Sequence, residues 1–271
     1  GEFICHAIRR TWELLMIGIT LYCFGMYLIG GLGASLGYHR ILTHKSAEMP
    51  KWFEYLIVTL GLPVGTPVQW VGNHRAHHMC TDQDGDPHSP ILGGFWFAHC
   101  GWYINSNNVI LCILYALAGP IRMLIDGIMR PNTNQKHVHL AKDIQADKYY
   151  AFLSQPLIYM VFIWIYLAII MIVPYLLFDW VGVLASSLTL VFMYNIGDAI
   201  DSVAHLYGIK EGKSEARNNI LLGYLSFGEG WHSNHHMHPN KAQFGTQKNQ
   251  FDFSHLILKA LKKIGIVNKI Y

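Results

Sequence analysis

Residues 152–178 read FLSQPLIYMVFIWIYLAIIMIVPYLLF, Asp179 follows, and residues 180–200 read WVGVLASSLTLVFMYNIGDAI. Each apolar run is long enough to cross a bilayer core of about 30 Å, which takes about 20 helical residues. Only Asp179 and its neighbours separate them, so the pair reads as a tight transmembrane hairpin. A third run, residues 12–36, is of similar length. Two others fall short: residues 53–68 contain Glu54, Pro63 and Pro67, and residues 109–129 are broken at Gly119-Pro120 and carry Arg122 and Asp126. These suit helices lying in the membrane interface or against the protein. The fold class expected is an all-α integral membrane protein with spans at residues 12–36, 152–178 and 180–200. A helical cap is expected from residues 37–150 and 201–271, all in one domain over residues 1–271.

Composition agrees. Of 271 residues 52% are hydrophobic and 14% charged, where a soluble domain carries about 25% charged. The mean hydropathy is +0.25 although 16 residues are histidine, nearly as many as the 17 aspartates and glutamates. Polar chemistry is therefore embedded in an apolar protein. A net charge of +3 without a dense lysine and arginine cluster argues against nucleic-acid binding, and the apolar content argues against disorder. Cys5, Cys23, Cys80, Cys100 and Cys112 are scattered, with no C-x-x-C pair, and read as small apolar fillers. No cleavable signal peptide is visible, and the opening Gly1-Glu2-Phe3 reads as a boundary within a longer chain. With three crossings, every lysine and arginine except Arg9 and Arg10 falls on one side, which the positive-inside tendency makes cytoplasmic. A helix upstream of Gly1, with Arg9 and Arg10 in a short external loop, would account for those two.

The histidines are clustered. His39 and His44 follow the first span, His74, His77 and His78 lie mid-chain, and His232, His235 and His236 follow the last span. In the second and third clusters the spacing H-x-x-H-H places three imidazoles within one arc of a helix. His39 and His44, five residues apart, do not share an α-helical face, so a helix is expected to end between them, with Gly37 and Thr43 compatible with that end. Imidazole suits iron, zinc, copper and nickel rather than magnesium or calcium, and this many histidines fit two ions. His6, His137, His139 and His255 stand alone, and single histidines are more often surface or hydrogen-bonded residues.

His39-Arg40-Ile41-Leu42-Thr43-His44, His74-Arg75-Ala76-His77-His78 and Gly228-Glu229-Gly230-Trp231-His232-Ser233-Asn234-His235-His236 resemble the three histidine boxes of the membrane fatty acyl desaturases. The likeness is closest to the delta-9, stearoyl-CoA-like branch and its bacterial relatives, and it covers nearly the whole chain, including Asp84-Gly85-Asp86-Pro87-His88. It implies four transmembrane helices under a cytoplasmic cap, hence one helix before this chain begins. It also implies a di-iron centre with His39, His44, His78 and His236 on one iron and His74, His77, His205, His232 and His235 on the other. O2 would be co-substrate, because non-haem iron held by imidazoles with an open position activates dioxygen. The reaction implied is O2-dependent desaturation of a fatty acyl chain.

Two departures stand out. The family has asparagine four residues before the ninth histidine, whereas this chain has Asp201 before His205. A carboxylate there is a candidate metal ligand and catalytic group, or a hydrogen-bond partner beside the metal. Acyl-CoA members carry an Arg-Asp pair before the second box, where this chain reads Trp70-Val71-Gly72-Asn73-His74. An acyl carrier protein or a membrane lipid is then the expected carrier rather than CoA. Trp70 is expected to line the acyl tunnel, or else to be core. Glu229 is a second candidate catalytic residue, and with Asp84 and Asp86 it is expected to accept a metal-bound histidine's other N–H, although Asp84 and Asp86 also suit a turn before Pro87. Asp198, on a helix face near Asp201, is a functional candidate because ionisable residues so deep are costly.

An acetylenase, hydroxylase or fatty-acid decarboxylase on the same scaffold shares these motifs. A haem protein or metal transporter fits less well, since the clusters lie beyond the span ends and the spans lack central charges. No haem-binding or flavin-binding domain is visible, so an external donor of ferredoxin or cytochrome b5 type is expected.

Overall fold

The computed structural model describes residues 2–271, with side chains from Arg9 onward, so the side chains of Cys5 and His6 lie outside the described part. Helix α1, Glu2–Leu32, continues without interruption into a π-helical segment, Gly33–Thr43. The helix ends at Thr43, between His39 and His44 as expected, but as a π-helix rather than an α-helix. In a π-helix the backbone bonds run from residue i to i+5, which brings two side chains five apart onto one face. The His44 amide donates to the His39 carbonyl at 3.2 Å, and their rings lie 4.9 Å apart.

Helix α2, Lys51–Leu60, packs on the π segment. Gly33 and Gly61 make the crossing close enough that a Cβ on either would run into the other's backbone. Helix α3, Pro67–Met79, carries the second box; Pro67 takes its first turn and the Thr66 hydroxyl accepts from the Gln69 amide at 3.3 Å. Helices α4, Val109–Leu117, and α5, Pro120–Met129, meet at 114° across Gly119. They form an elbow against the long helices, in keeping with the expectation that residues 109–129 are not a straight span.

Residues Pro156–Asp201 form α6, broken at Asp179, whose backbone is left-handed at φ 57°. The break is a reversal: Ser187 Oγ lies 3.9 Å from Met171 Sδ, a contact that a straight helix would stretch to about 24 Å at 1.5 Å per residue. Gly182 lets the second arm return past Pro174. The Asp179 carboxylate accepts from the Trp180 amide at 2.7 Å, a bond that holds the turn. Leu190 of the second arm packs with Ile163 and Leu167 of the first.

Two helical segments, Arg9–Thr43 and Pro156–Leu206, are long and apolar enough to cross a membrane. They leave large side chains such as Leu21, Ile165 and Leu184 exposed, a surface suited to hydrocarbon rather than water. After α7, Val203–Leu206, the chain forms α8, His232–Met237, and α9, Phe253–Lys263. A two-residue antiparallel pairing, Ala47 with Ile270 and Glu48 with Lys269, ties the C-terminal end to the loop after the first box.

The Gly33 to Gly61 crossing predicts that Gly33→Ala lowers the melting temperature in detergent, because overpacking against fixed backbone costs about 1–3 kcal/mol. Gly25→Ala on the same helix, where a Cβ meets nothing within 4 Å, leaves it unchanged or raises it.

Candidate metal centre

Nine imidazoles converge where the π segment, α3, α7 and α8 meet, in two groups within each of which the nitrogens lie within 4.8 Å of one another. His39, His44, His74, His78 and His235 form one, and His77, His205, His232 and His236 the other. The division implied by the family resemblance is thereby corrected: His74 and His235 join the first group and His236 the second. The reason is helical direction. Residues i and i+4 stay together while i+3 turns aside, so α3 gives His74 and His78 to the first group and His77 to the second. Helix α8 does the reverse, giving His232 and His236 to the second and His235 to the first. The π segment adds two histidines to the first group, and α7 adds only His205 to the second.

Carboxylates fix the rings from behind. The Nδ1–H of His39 donates to Glu229, that of His77 to Asp86 at 2.9 Å and that of His205 to Asp82 at 2.7 Å. Their Nε2 atoms consequently present lone pairs. Each such nitrogen faces another Nε2: His39 to His235 at 3.0 Å, His77 to His236 at 3.3 Å, His205 to His232 at 3.0 Å. Two lone pairs facing one another at such a distance would repel unless they shared a cation. Edges of this length are also those expected of nitrogens about 2.1 Å from a common ion. The donor set fits metal in both groups. Burial first, and then the neighbouring histidines, hold His74, His77, His232, His235 and His236 well below the ordinary imidazole value, and His78 is pushed down to about 3.

The remaining candidates divide. Glu229 is bonded to His39, Ser35 and Arg40. Asp86 holds His77 as expected. Asp84 is exposed, and Asp82, which sequence reasoning passed over, takes its place. Asp82 sits at φ 58°, a turn that aims its carboxylate back at His205. Asp201 belongs to neither group; its carboxylate lies 3.8 Å from His88 Nδ1, and its side chain reaches a cavity wall. Asp198 is buried and doubly bonded to Arg122 of α5, at 2.6 and 3.0 Å. His137, His139 and His255 stay outside both groups. His88, stacked on His77 at 4.4 Å with its Nδ1 unpartnered, was also missed as a site residue; its one signal was the Asp86-Pro87-His88 string.

A cavity of about 570 Å³ reaches from Leu21 and Tyr22 in α1 to His39 and His74. Met26, Gly30, Leu190 and Met193 give it an apolar wall. Trp70 lines it too, stacked on His74 at 4.8 Å.

Helices long and apolar enough to cross a membrane, joined to two adjoining imidazole groups that could hold metal ions, define the class of protein. Within it, this chain belongs to the fatty acid desaturase family, whose model matches residues 10–250. It is similar to the Delta-9 acyl-lipid desaturase 1 of Arabidopsis thaliana, 31% identical over 99% of this chain and 79% of the relative. It is 29% identical to the sn-1 stearoyl-lipid 9-desaturase of Anabaena variabilis over 96% of this chain and 85% of the relative. The Acyl-CoA C20 Delta5-desaturase of Anemone leveillei is 33% identical over 92% of this chain and 72% of the relative. The protein is thus an oxidoreductase of lipid metabolism.

The depressed histidine values predict acid sensitivity of the metal-stripped protein. Between these values and the unfolded value of about 6.5, the unfolded chain binds protons that the folded one refuses. Stability therefore falls as pH falls through that window. Thermal melting of the stripped protein in detergent should give a lower midpoint at pH 5.5 than at pH 7.5; equal midpoints would contradict the burial of neutral rings.

Proposed function

We propose that this chain removes two hydrogens from a fatty acyl chain with O2, using two irons held by the nine histidines. The observation that carries this reading is the apolar cavity that ends on His39 and His74. Such a space accepts a hydrocarbon chain, fits the usual range of about 300–1,000 Å³ for ligand pockets, and keeps water from the reacting carbons. Iron held there would supply the oxidising chemistry that no amino-acid acid or base has, O2 activation for hydrogen removal from an unactivated methylene. The protein's own groups do the rest. Leu190 and Met193 grip the chain, Trp70 borders it beside the first group, and Glu229, Asp82 and Asp86 hold the rings on their lone-pair tautomer.

The topology proposed is three crossings in this chain, with the histidines on the cytoplasmic side and the cap receiving electrons from a ferredoxin or cytochrome b5 type donor. The carrier proposed is a membrane lipid or acyl carrier protein rather than CoA. Relatives named for acyl-lipid substrates support the lipid, while another relative is named for acyl-CoA. Asp201 is proposed to act beside the second group by turning from His88 toward the ion.

Product analysis by mass spectrometry, with matched acyl-lipid, acyl-carrier-protein and acyl-CoA substrates and a reducing system, should show loss of two hydrogens from the lipid or carrier-protein forms. Hydroxylated products, or turnover of the CoA form alone, would sink the corresponding part of the reading. His235→Ala and His74→Ala should each lower iron at the first group, leaving about one iron per chain, and abolish turnover without unfolding the spans. Asp201→Asn should retain both irons and change turnover or product distribution; unchanged kinetics and products would make Asp201 a local structural partner.

A further inference from the structure

The carboxylates that grip the two histidine groups differ in how their charge is met, a contrast whose consequence rests on the proposed two-iron reading. In the first group Glu229 grips His39 and also bonds Arg40, whose side chain is wholly buried and whose Nη2 reaches Asp252 at 3.0 Å. Arg75, behind His44, donates to the Thr43 carbonyl at 3.3 Å and shares Asp143 with Lys45, so this trio carries a net positive charge.

The second group has more negative surroundings than the first, where Glu229, Arg40 and Asp252 sum to one negative charge. Asp86 grips His77 and Asp82 grips His205, with the carboxylates 0% and 3% exposed. Their other hydrogen bonds come from neutral donors: the Asp82 and His88 amides to Asp86 at 2.7 and 3.1 Å, and the Ser89 hydroxyl to Asp82 at 2.6 Å. Among the described residues neither pairs with a lysine or arginine. Asp201, 3.8 Å from His88, adds a further carboxylate on this side. A carboxylate behind a ligand imidazole raises its basicity, an arginine sharing that carboxylate withdraws the effect, and buried charges act through a low effective dielectric.

We propose that the two groups are electronically unequal, the four-histidine group of His77, His205, His232 and His236 being the one that stabilises the more highly oxidised iron. When the diferrous protein gives up a single electron, Fe2+ becomes Fe3+ there first, while the Arg40-compensated group stays ferrous.

The test is an anaerobic titration of protein loaded with two ferrous irons, using ferricyanide, each equivalent of which takes one electron and becomes ferrocyanide. Mössbauer and EPR spectra follow the steps, so no turnover is needed. The wild type should oxidise in two resolved steps. Asp82→Asn and Asp86→Asn should move the first step to higher potential and leave the second in place. Both keep an oxygen to accept the histidine N–H, and asparagine tolerates the left-handed backbone of residue 82. Glu229→Gln should move the second step instead. A single unresolved step in the wild type, or Asp82 and Asp86 variants that move only the second step, overturns the inequality while leaving the metal reading intact. Binding of fewer than two irons per wild-type chain overturns the metal reading and the inequality with it.

Discussion

Imidazole nitrogens facing one another at about 3 Å inside a dry protein are the constraint on which the rest of the structure depends. In each of these pairs one ring has given its Nδ1–H to a carboxylate and turns a lone pair toward the other ring, and burial removes water as an alternative partner. A cation shared among them resolves the conflict. The scaffold, for its part, has to hold the rings in place against their mutual repulsion.

The helices do this by exchange. α3 and α8 each split their three histidines two to one between the groups, so neither group belongs to one helix and the two cannot separate without moving both. The π segment and α7 bring further histidines from the ends of the long apolar helices, which run so that these ends meet. Arg40 then ties the first box to the C-terminal part of the chain, through the Ala242 carbonyl at 2.9 Å, Asp252 at 3.0 Å and the Phe244 ring at 3.7 Å. Removing a buried charge with several partners costs about 3–5 kcal/mol, so this tie contributes to the fold as well as to the site.

Much of this was legible in the sequence because it is local. Apolar runs of span length, one aspartate between two of them, and H-x-x-H-H on helices need only helical geometry to interpret. What was not legible depends on approach between distant segments. The sharing of His74, His235 and His236 between groups follows from how α3 and α8 face each other, and spacing within one helix cannot give it. The helix end at Thr43 was legible, but the π form before it was not, because five-residue spacing only shows that the two histidines do not share an α-helical face. Asp82 was passed over for Asp84 because its role depends on a left-handed residue. The part played by Arg40 inside the first box depends on partners some 200 residues away.

The central claim is that the nine histidines hold two ions, five on one and four on the other. Anomalous diffraction at the iron edge, from crystals of protein expressed with iron, tests it most directly. The account predicts two peaks per chain, one among His39, His44, His74, His78 and His235 and one among His77, His205, His232 and His236. One peak, or a peak shared by His74 and His77, would contradict it.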